Sequence, residues 1–162
     1  MMSRHGPYQI YAGYRQFYVQ DFDQEGDTGS NRFWTAEAFD CRLAMAPYVI
    51  GIATDTNGEV PVTVELCSSE PGSTPGDWDH IAEVSLELTA GHLKLAGCPD
   101  GEVRFHRMNA IPGWYRVRVY SAGLTPRPPE VVWSGDSHLV QIWPAPPGPR
   151  RLLKRYHTDA NA

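Results

Sequence analysis

The stretch that decides the fold class is YVIGIATDTNGEVPVTVELC, residues 48–67. In its second half every other residue from Val60 to Leu66 is apolar, and this period of two is typical of a half-buried β-strand. Its first half, 48–54, is a short apolar run bounded by turn-forming residues. The dipeptide Asn57-Gly58 between them favours a type I′ turn, whose twist matches that of paired strands. The stretch therefore predicts a β-hairpin made of 48–54 and 60–67.

Short runs of the same kind recur on both sides of this stretch. The first, at 9–20, changes phase near Arg15 and Gln16, which predicts a strand with a β-bulge. In the run 80–89, Val84, Leu86 and Leu88 are expected in the core, and Glu83, Ser85 and Glu87 in water. The chain has 15 Gly and 14 Pro, residues that separate short elements and disfavour long helices. The pattern predicts an all-β fold, an antiparallel two-sheet β-sandwich of jelly-roll or Greek-key type. Further strands are predicted at 92–95, 102–106, 114–121, 131–133 and 138–143.

One segment has the period of a helix. From Trp34 to Leu43 apolar residues repeat every three to four positions, and Thr35 is placed to cap the first turn. Pro47 follows shortly, and the residue before a proline avoids helical geometry. The sequence predicts one short helix near residues 35–43.

Length and composition indicate a single domain. The chain has 162 residues, enough for one sizeable core, and no apolar run approaches the length needed to span a bilayer. Residues 1–145 are predicted to form the sandwich and 146–162 a Pro-rich, basic C-terminal tail. Three widely spaced cysteines and an N-terminus without a secretory apolar region favour a cytoplasmic protein with reduced thiols.

The charge is distributed unevenly along the chain. Residues 1–93 hold four basic and fourteen acidic residues, a net charge of −10, whereas 94–162 hold ten basic and five acidic, a net charge of +5. An acidic surface attracts a basic protein or a cation and repels nucleic acid. The expected partner is a basic protein, with no direct contact to nucleic acid or membrane. Alternatively, the two halves neutralise each other, with the basic tail lying on the acidic half.

The residues predicted to contact that partner lie in two polar loops. The first loop imitates the start of a calcium-binding EF loop, but counting from Asp21 places Arg32 where a bidentate Glu is required, so that interpretation fails. A solvated acidic loop remains. Trp78 stands between two carboxylates in the second loop, a pairing of aromatic and acidic groups that suits a protein-binding surface. The predicted partner-binding residues are Asp21, Asp23, Glu25, Asp27, Trp78 and Asp79.

No catalytic residue, metal ligand or cofactor is predicted. The chain has no nucleophile elbow, no Gly-rich phosphate loop and no closely spaced Cys or His pair. The segment Gly135–His138 has catalytic residue types, but it is interpreted as a turn that leads into a strand. Two alternatives to a protein-binding module stay open. One is a small-ligand or carbohydrate-binding sandwich with aromatic residues on a concave face. The other is a metal-dependent enzyme in which histidines converge, drawn from His80, His92, His106 and His138.

Three segments in order also resemble a known family. GYRQFYV (13–19), WTAEA (34–38) and VPVTVEL (60–66) are similar to the bacterial competence protein J family, and PGWYRVRVYSAGL (112–124) is compatible with its later strands. The resemblance covers about the first 70 residues, and the Pro-rich basic tail departs from it. The resemblance implies a non-enzymatic, cytoplasmic β-sandwich that binds another protein. Its role would be that of a nuclease inhibitor or of an immunity-type protein. The resemblance does not indicate which residues of this chain would contact a nuclease.

Overall fold

The computed structural model describes residues 1–99, 105–125 and 134–157. Within these ranges the chain forms eleven β-strands, one α-helix and a 3₁₀ turn at Gly13–Arg15. The predicted strand 131–133 and the first part of the predicted strand 102–106 lie outside the described residues. The elements are β1 (Met2–Ala12), β2 (Gln16–Asp21), α1 (Ala36–Cys41), β3 (Leu43–Ala46), β4 (Val49–Ala53), β5 (Gly58–Cys67), β6 (His80–Leu88), β7 (His92–Ala96), β8 (Phe105–Asn109), β9 (Gly113–Ala122), β10 (Ser137–Pro144) and β11 (Arg151–Lys154).

The strands form two sheets that pack on one another. The six-stranded sheet has the order β1-β5-β10-β9-β6-β11, and the five-stranded sheet has the order β3-β4-β2-β7-β8. This confirms the predicted all-β, two-sheet fold with one short helix. One pair of neighbours departs from the antiparallel expectation. Strand β10 runs antiparallel to β9 on one side but parallel to β5 on the other.

A single large core fills the space between the sheets. Alternate residues of each strand point into it, as the period of two predicts. The helix α1 lies on the opposite face of the five-stranded sheet, where a smaller cluster forms around Phe33, Ala38 and Val49. Buried members of the main core include Phe17, Ile50, Ile52, Leu93 and Leu95 from one sheet and Val62, Val84, Leu86, Val117, Val140 and Ile142 from the other.

The predicted hairpin at 48–67 is wrong. Strand β4 lies in the five-stranded sheet and β5 in the six-stranded sheet, so 54–57 cross between sheets instead of turning back. The N–H groups of Asp55 and Thr56 donate to the buried carboxylate of Asp136, at 3.0 and 3.1 Å. Asn57 Oδ1 accepts from the N–H of Tyr14 at 3.1 Å. Partners distant in sequence therefore replace the local hydrogen bonds of a type I′ turn.

The bulge predicted near Arg15 and Gln16 is also a crossing between sheets. β1 lies in the six-stranded sheet, β2 lies in the five-stranded one, and the 3₁₀ turn joins them. Gly13 is required at this crossing, since its N–H donates to Cys98 O at 2.8 Å and a Cβ atom would lie 2.2 Å from that oxygen. The change of phase in the sequence therefore marks a change of sheet.

The helix was predicted correctly. Thr35 Oγ1 accepts from the N–H of Ala38 at 3.1 Å and caps the first turn. The helix ends at Cys41, and Arg42, which follows it, adopts a left-handed conformation with φ of 58°. No helix in the described ranges is long and apolar enough to cross a membrane.

The outer face of the six-stranded sheet is covered by the C-terminal segment. Glu83 and Ser85, predicted to face water, are buried there. The carbonyl oxygens of Gly148 and Pro149 each accept from Arg116 at 3.0 Å, which holds the segment against the sheet. The residues that follow form β11, which pairs with β6. Part of the predicted tail is thus a strand of the sheet.

Candidate functional site

The first predicted residue, Asp21, lies at the end of β2 and is fully buried. Its Oδ2 accepts from the N–H of Thr89 at 2.9 Å and from Thr89 Oγ1 at 2.7 Å. Its Oδ1 accepts from the N–H of Asp23 at 3.2 Å. Asp21 therefore joins β2 to the turn after β6, and its buried carboxylate is not exposed to a partner.

The other three carboxylates of this loop, Asp23, Glu25 and Asp27, are exposed and are called the acidic loop below. Asp23 Oδ2 lies 2.8 Å from His92 Nδ1. Asp27 Oδ1 accepts from the N–H groups of Gly29 and Ser30, at 3.0 and 3.2 Å, which fixes the turn that follows. The loop therefore presents negative charge to solvent from an ordered backbone.

The second predicted group, Trp78 and Asp79, lies in the loop between β5 and β6 and is half-buried. Trp78 Nε1 donates to Thr74 O at 3.1 Å, and its ring packs against Tyr120 with 5.1 Å between centroids. Asp79 Oδ2 accepts from the N–H of Leu124 at 3.0 Å. Both side chains hold neighbouring loops in place.

The two predicted groups lie at opposite ends of β6. Asp79 directly precedes that strand, whereas Asp21 bonds to Thr89 directly after it. Nine extended residues span roughly 27 Å. A single small surface therefore cannot contain both of the predicted loops.

The four histidines considered for a metal site do not converge. His80 Nε2 lies 2.7 Å from Cys41 O, and His80 Nδ1 accepts from the N–H of Tyr156 at 3.1 Å. His106 stacks on Tyr8 with 3.7 Å between ring centroids. Burial lowers the pKa of His80 to about 4. Among the described residues, no cluster of three or more His, Cys, Asp or Glu side chains could hold a metal ion.

A Ser-His-Asp arrangement occurs in the interior. Ser121 Oγ lies 2.9 Å from His138 Nδ1, and His138 Nε2 lies 2.7 Å from Asp136 Oδ2. The distances resemble those of a catalytic triad. The side chains of His138 and Asp136 have no exposed surface, however, and Ser121 is buried. A substrate cannot reach the serine, so the arrangement serves to connect β9, β10 and the crossing at 54–57.

A cavity of about 450 Å³ lies beneath the loop between β5 and β6. Tyr120 is the only aromatic residue among the described residues that line it, and Arg118 and Glu70 form an ion pair in its wall at 3.1 Å. A carbohydrate site usually provides aromatic faces for stacking. This cavity does not match that expectation.

Sequence analysis missed a cleft of about 380 Å³ at the start of β2. Tyr14 and Phe39 stand exposed at its rim, and Arg15 and Arg42 lie in its wall. Tyr14 is in the first quoted motif of the resemblance and Phe39 is in the helix, but nothing local in the sequence indicates that they come together. The two residues come together only in the folded chain, because the 3₁₀ turn, the end of α1 and the crossing at 54–57 meet there.

No family model matches this chain, and no curated protein matches it. Two solved structures do. ComJ from Bacillus subtilis, described as an inhibitor of the DNA-degrading activity of NucA, superimposes with a TM-score of 0.68 at 18% identity, covering 90% of this chain and 99% of ComJ. The chain therefore has a ComJ-like fold. The product of crocagin biosynthetic gene J superimposes with a TM-score of 0.52 at 16% identity, covering 89% of this chain and 97% of that protein. The resemblance seen in the sequence is thus confirmed at the level of fold.

Proposed function

We propose that this chain is a protein-binding module that inhibits a nuclease and contacts it through the acidic loop. The observation that carries the proposal is the ComJ-like fold over 90% of the chain, since ComJ is described as an inhibitor of a DNA-degrading nuclease. The proposal also places the protein in the bacterial cytoplasm. Its three cysteines, Cys41, Cys67 and Cys98, are not joined by disulfide bonds, which suits a reducing compartment.

The charge of the acidic loop supports this proposal. A nuclease binds the phosphate backbone through Lys and Arg side chains. Asp23, Glu25 and Asp27 extend into solvent from one short loop and present carboxylates that such a surface attracts. Attraction of this kind speeds association and weakens with salt, because exposed charges are screened beyond about 8 Å at physiological ionic strength.

The test is a DNA-degradation assay with purified NucA and with the nuclease encoded nearest this protein's gene. We expect inhibition of at least one of them at near-equimolar ratio, and weaker inhibition as salt is raised. Failure to inhibit either nuclease at a tenfold excess overturns the proposal.

A charge-reversal variant tests the acidic loop. The triple variant Asp23→Lys, Glu25→Lys, Asp27→Lys is expected to raise the inhibition constant at least roughly tenfold while the Tm stays nearly unchanged. The matched control Glu59→Lys, Asp77→Lys, Glu87→Lys changes the net charge equally at other positions of the chain. If both triples weaken inhibition to the same extent, net charge and not the loop is responsible.

A further inference from the structure

Strand β8 lies at one edge of the five-stranded sheet, and no strand of the described ranges pairs with its outer side. In an antiparallel pair, alternate residues bond to the neighbouring strand, and the residues between them point their N–H and C=O groups the other way. Just beyond the strand, Ala110 N–H donates to Gly91 O at 2.8 Å, in the register that joins β7 to β8. Counted in twos from this pair, the backbone groups of Phe105, Arg107 and Asn109 point away from the sheet.

The other edge strands of the two described sheets are interrupted or covered. β1 contains Gly6 and Pro7, where its register with β5 shifts, and a proline has no N–H to donate. The register of β11 with β6 also shifts, and in β3 Leu43 is only 1% exposed. Interruptions of this kind prevent an edge from pairing with another chain. Among the edge strands of the described ranges, β8 is the one that pairs without a register shift and remains accessible.

The outer face of β8 carries an aromatic platform made of Phe22 and Phe105. Met108 is buried in the main core, so its alternating neighbours along the strand lie on the opposite face. The rings of Phe22 and Phe105 are 5.6 Å apart between centroids, and Phe22 is 36% exposed. The guanidinium carbon of Arg107 lies 5.1 Å from the centroid of Phe22. A strand that pairs with β8 would therefore bring every second side chain against this platform.

The charge of Arg107 restricts what can pair with the strand. Its side chain is exposed, and no carboxylate of the described residues forms an ion pair with it. Opposite charges in facing positions of neighbouring strands stabilise the pair, and like charges destabilise it. A second copy of this chain fits poorly, because a symmetric antiparallel pair over the whole strand places Arg107 opposite Arg107. A run of carboxylates also fits poorly, since Asp23, 2.8 Å from His92, already places a negative charge beside the platform.

We infer that β8 is a docking edge for an extended segment of a partner protein, which adds a sixth strand to the five-stranded sheet. The segment carries one Asp or Glu opposite Arg107 and, two residues away, an apolar side chain that packs on Phe105. Main-chain hydrogen bonds to the three outward-pointing residues hold the segment, and its alternating side chains provide the selectivity. The inference does not depend on the proposed inhibition of a nuclease, because none of these contacts comes from the acidic loop.

A displayed library of random peptides, selected on the purified full chain, tests the inference. Enriched peptides are expected to share one Asp or Glu within a run of alternating apolar residues. When a synthetic form of such a peptide binds, amide exchange at Arg107 and Asn109 is expected to slow, because their N–H groups then donate to the peptide. A selection without this pattern, or a bound peptide that leaves exchange at both residues unchanged, overturns the inference.

The contribution of the backbone is tested by Asn109→Pro, with Asn109→Ala as the matched control. Proline removes an N–H that points away from the sheet, whereas alanine removes only the side chain. Peptide affinity is expected to fall about fivefold in Asn109→Pro, the effect of one lost hydrogen bond, and to stay near the wild-type value in Asn109→Ala. The Tm of both is expected to change little, since Met108 and not Asn109 bonds to β7. Equal affinities in the two variants, or a dimer of the wild-type chain that Asn109→Pro dissociates, overturn the inference.

The contribution of the charge is tested by Arg107→Glu, with the exposed Arg32 changed to Glu as the control. Affinity for the selected peptides is expected to fall at least about fivefold in Arg107→Glu and to stay unchanged in Arg32→Glu. Replacing the acidic residue of the peptide with Lys is expected to restore its affinity for Arg107→Glu. If this exchange of charges restores nothing, or if the chain binds single-stranded DNA and Arg107→Glu abolishes that binding, the inference is wrong.

Discussion

At the scale of single residues, the carboxylate of Asp136 shows how burial decides what an acidic group does. It accepts from Asp55 N–H, Thr56 N–H and Thr56 Oγ1, and it lies 2.7 Å from His138 Nε2. Burial alone would raise its pKa, but the hydrogen bond and charge of His138 and the other donors lower the pKa below its ordinary value. The carboxylate is therefore the form that the folded state prefers.

Replacing this one carboxylate is predicted to be costly. Asp136→Asn removes an acceptor from several buried donors, and the free energy of unfolding at pH 7 is expected to fall by about 2–4 kcal/mol. Because the folded-state pKa lies below the unfolded value of 3.8, the stabilising effect is complete above that pH and is lost as the pH falls below it. Urea denaturation at pH 7 and at pH 3 measures both effects.

Asp27→Asn is the matched control, since Asp27 also accepts from two backbone N–H groups but is exposed. Its effect on the free energy of unfolding is expected to stay within about 0.5 kcal/mol. Equal losses in the two variants would mean that burial is not the cause.

At the scale of elements, β6 and β9 carry an ion-pair network on a face that the sequence marks as solvated. Glu83 accepts from Arg116 Nε and from Arg118 Nε, each at 2.9 Å, and all three side chains are at most one-tenth exposed. Arg118 also lies over the ring of Trp143, 4.7 Å from its centroid. The polar groups of this face thus satisfy one another beneath the C-terminal segment.

Removing Glu83 is predicted to destabilise the fold strongly. Glu83→Ala leaves two buried guanidinium groups without their shared carboxylate, and breaking a buried pair in this way costs about 3–5 kcal/mol. Glu87→Ala, four residues further along β6 and on the same face, is expected to change the free energy of unfolding by less than about 0.5 kcal/mol. Chemical denaturation of both variants checks this, and similar small effects would show that the network contributes little.

The same elements show what the sequence could predict. The helix was found because Thr35 caps it locally, and the strands because apolar residues alternate within each one. The partners of 54–57 could not be found, because Asp136 lies about 80 residues further along the chain. Glu83 was assigned to water for a similar reason, since its cover comes from residues 148 and 149.

The candidate site was predictable to a similar extent. Composition indicated an acidic loop, and Asp23, Glu25 and Asp27 are exposed as expected. Asp21 could not be distinguished from them in the sequence, because Thr89, which donates hydrogen bonds to its carboxylate, lies 68 residues away. The cleft beside Tyr14 was missed for the same physical reason: hydrogen bonds between distant segments impose the positive φ there.

At the scale of the whole molecule, His80 connects three parts of the chain. It lies in β6, donates from Nε2 to the carbonyl oxygen of Cys41 at the end of α1, and accepts at Nδ1 from the N–H of Tyr156. Nearby, Arg155 pairs with Asp40 and Arg150 lies 3.9 Å from Glu37. The C-terminal segment is thus attached to the helix on the other sheet, which agrees with the interpretation that the basic tail lies on the acidic half.

Protonation of His80 is predicted to weaken this attachment. Burial lowers the pKa of His80 from 6.5 to about 4, with smaller contributions from Arg42 and Arg155 that lower it and from the Cys41 carbonyl and Asp40 that raise it. Between these two pH values the unfolded chain binds more protons than the folded one, so stability is complete above pH 6.5 and falls toward pH 4. The loss from His80 is on the order of 3 kcal/mol.

Urea denaturation between pH 4 and pH 7 measures this loss, and amide exchange at Tyr156 reports where it arises. The variant His80→Gln is expected to be less stable at pH 7 and to show a flatter pH dependence, whereas His157→Gln, an exposed histidine of the same segment, is expected to follow the wild type. His106, whose pKa burial also lowers, adds a residual slope of the same sign in every variant. If His80→Gln leaves the pH dependence of the free energy of unfolding unchanged, the group that titrates is not His80. Faster exchange at Tyr156 as the pH falls in the wild type would show that the histidine holds the C-terminal segment against the rest of the fold.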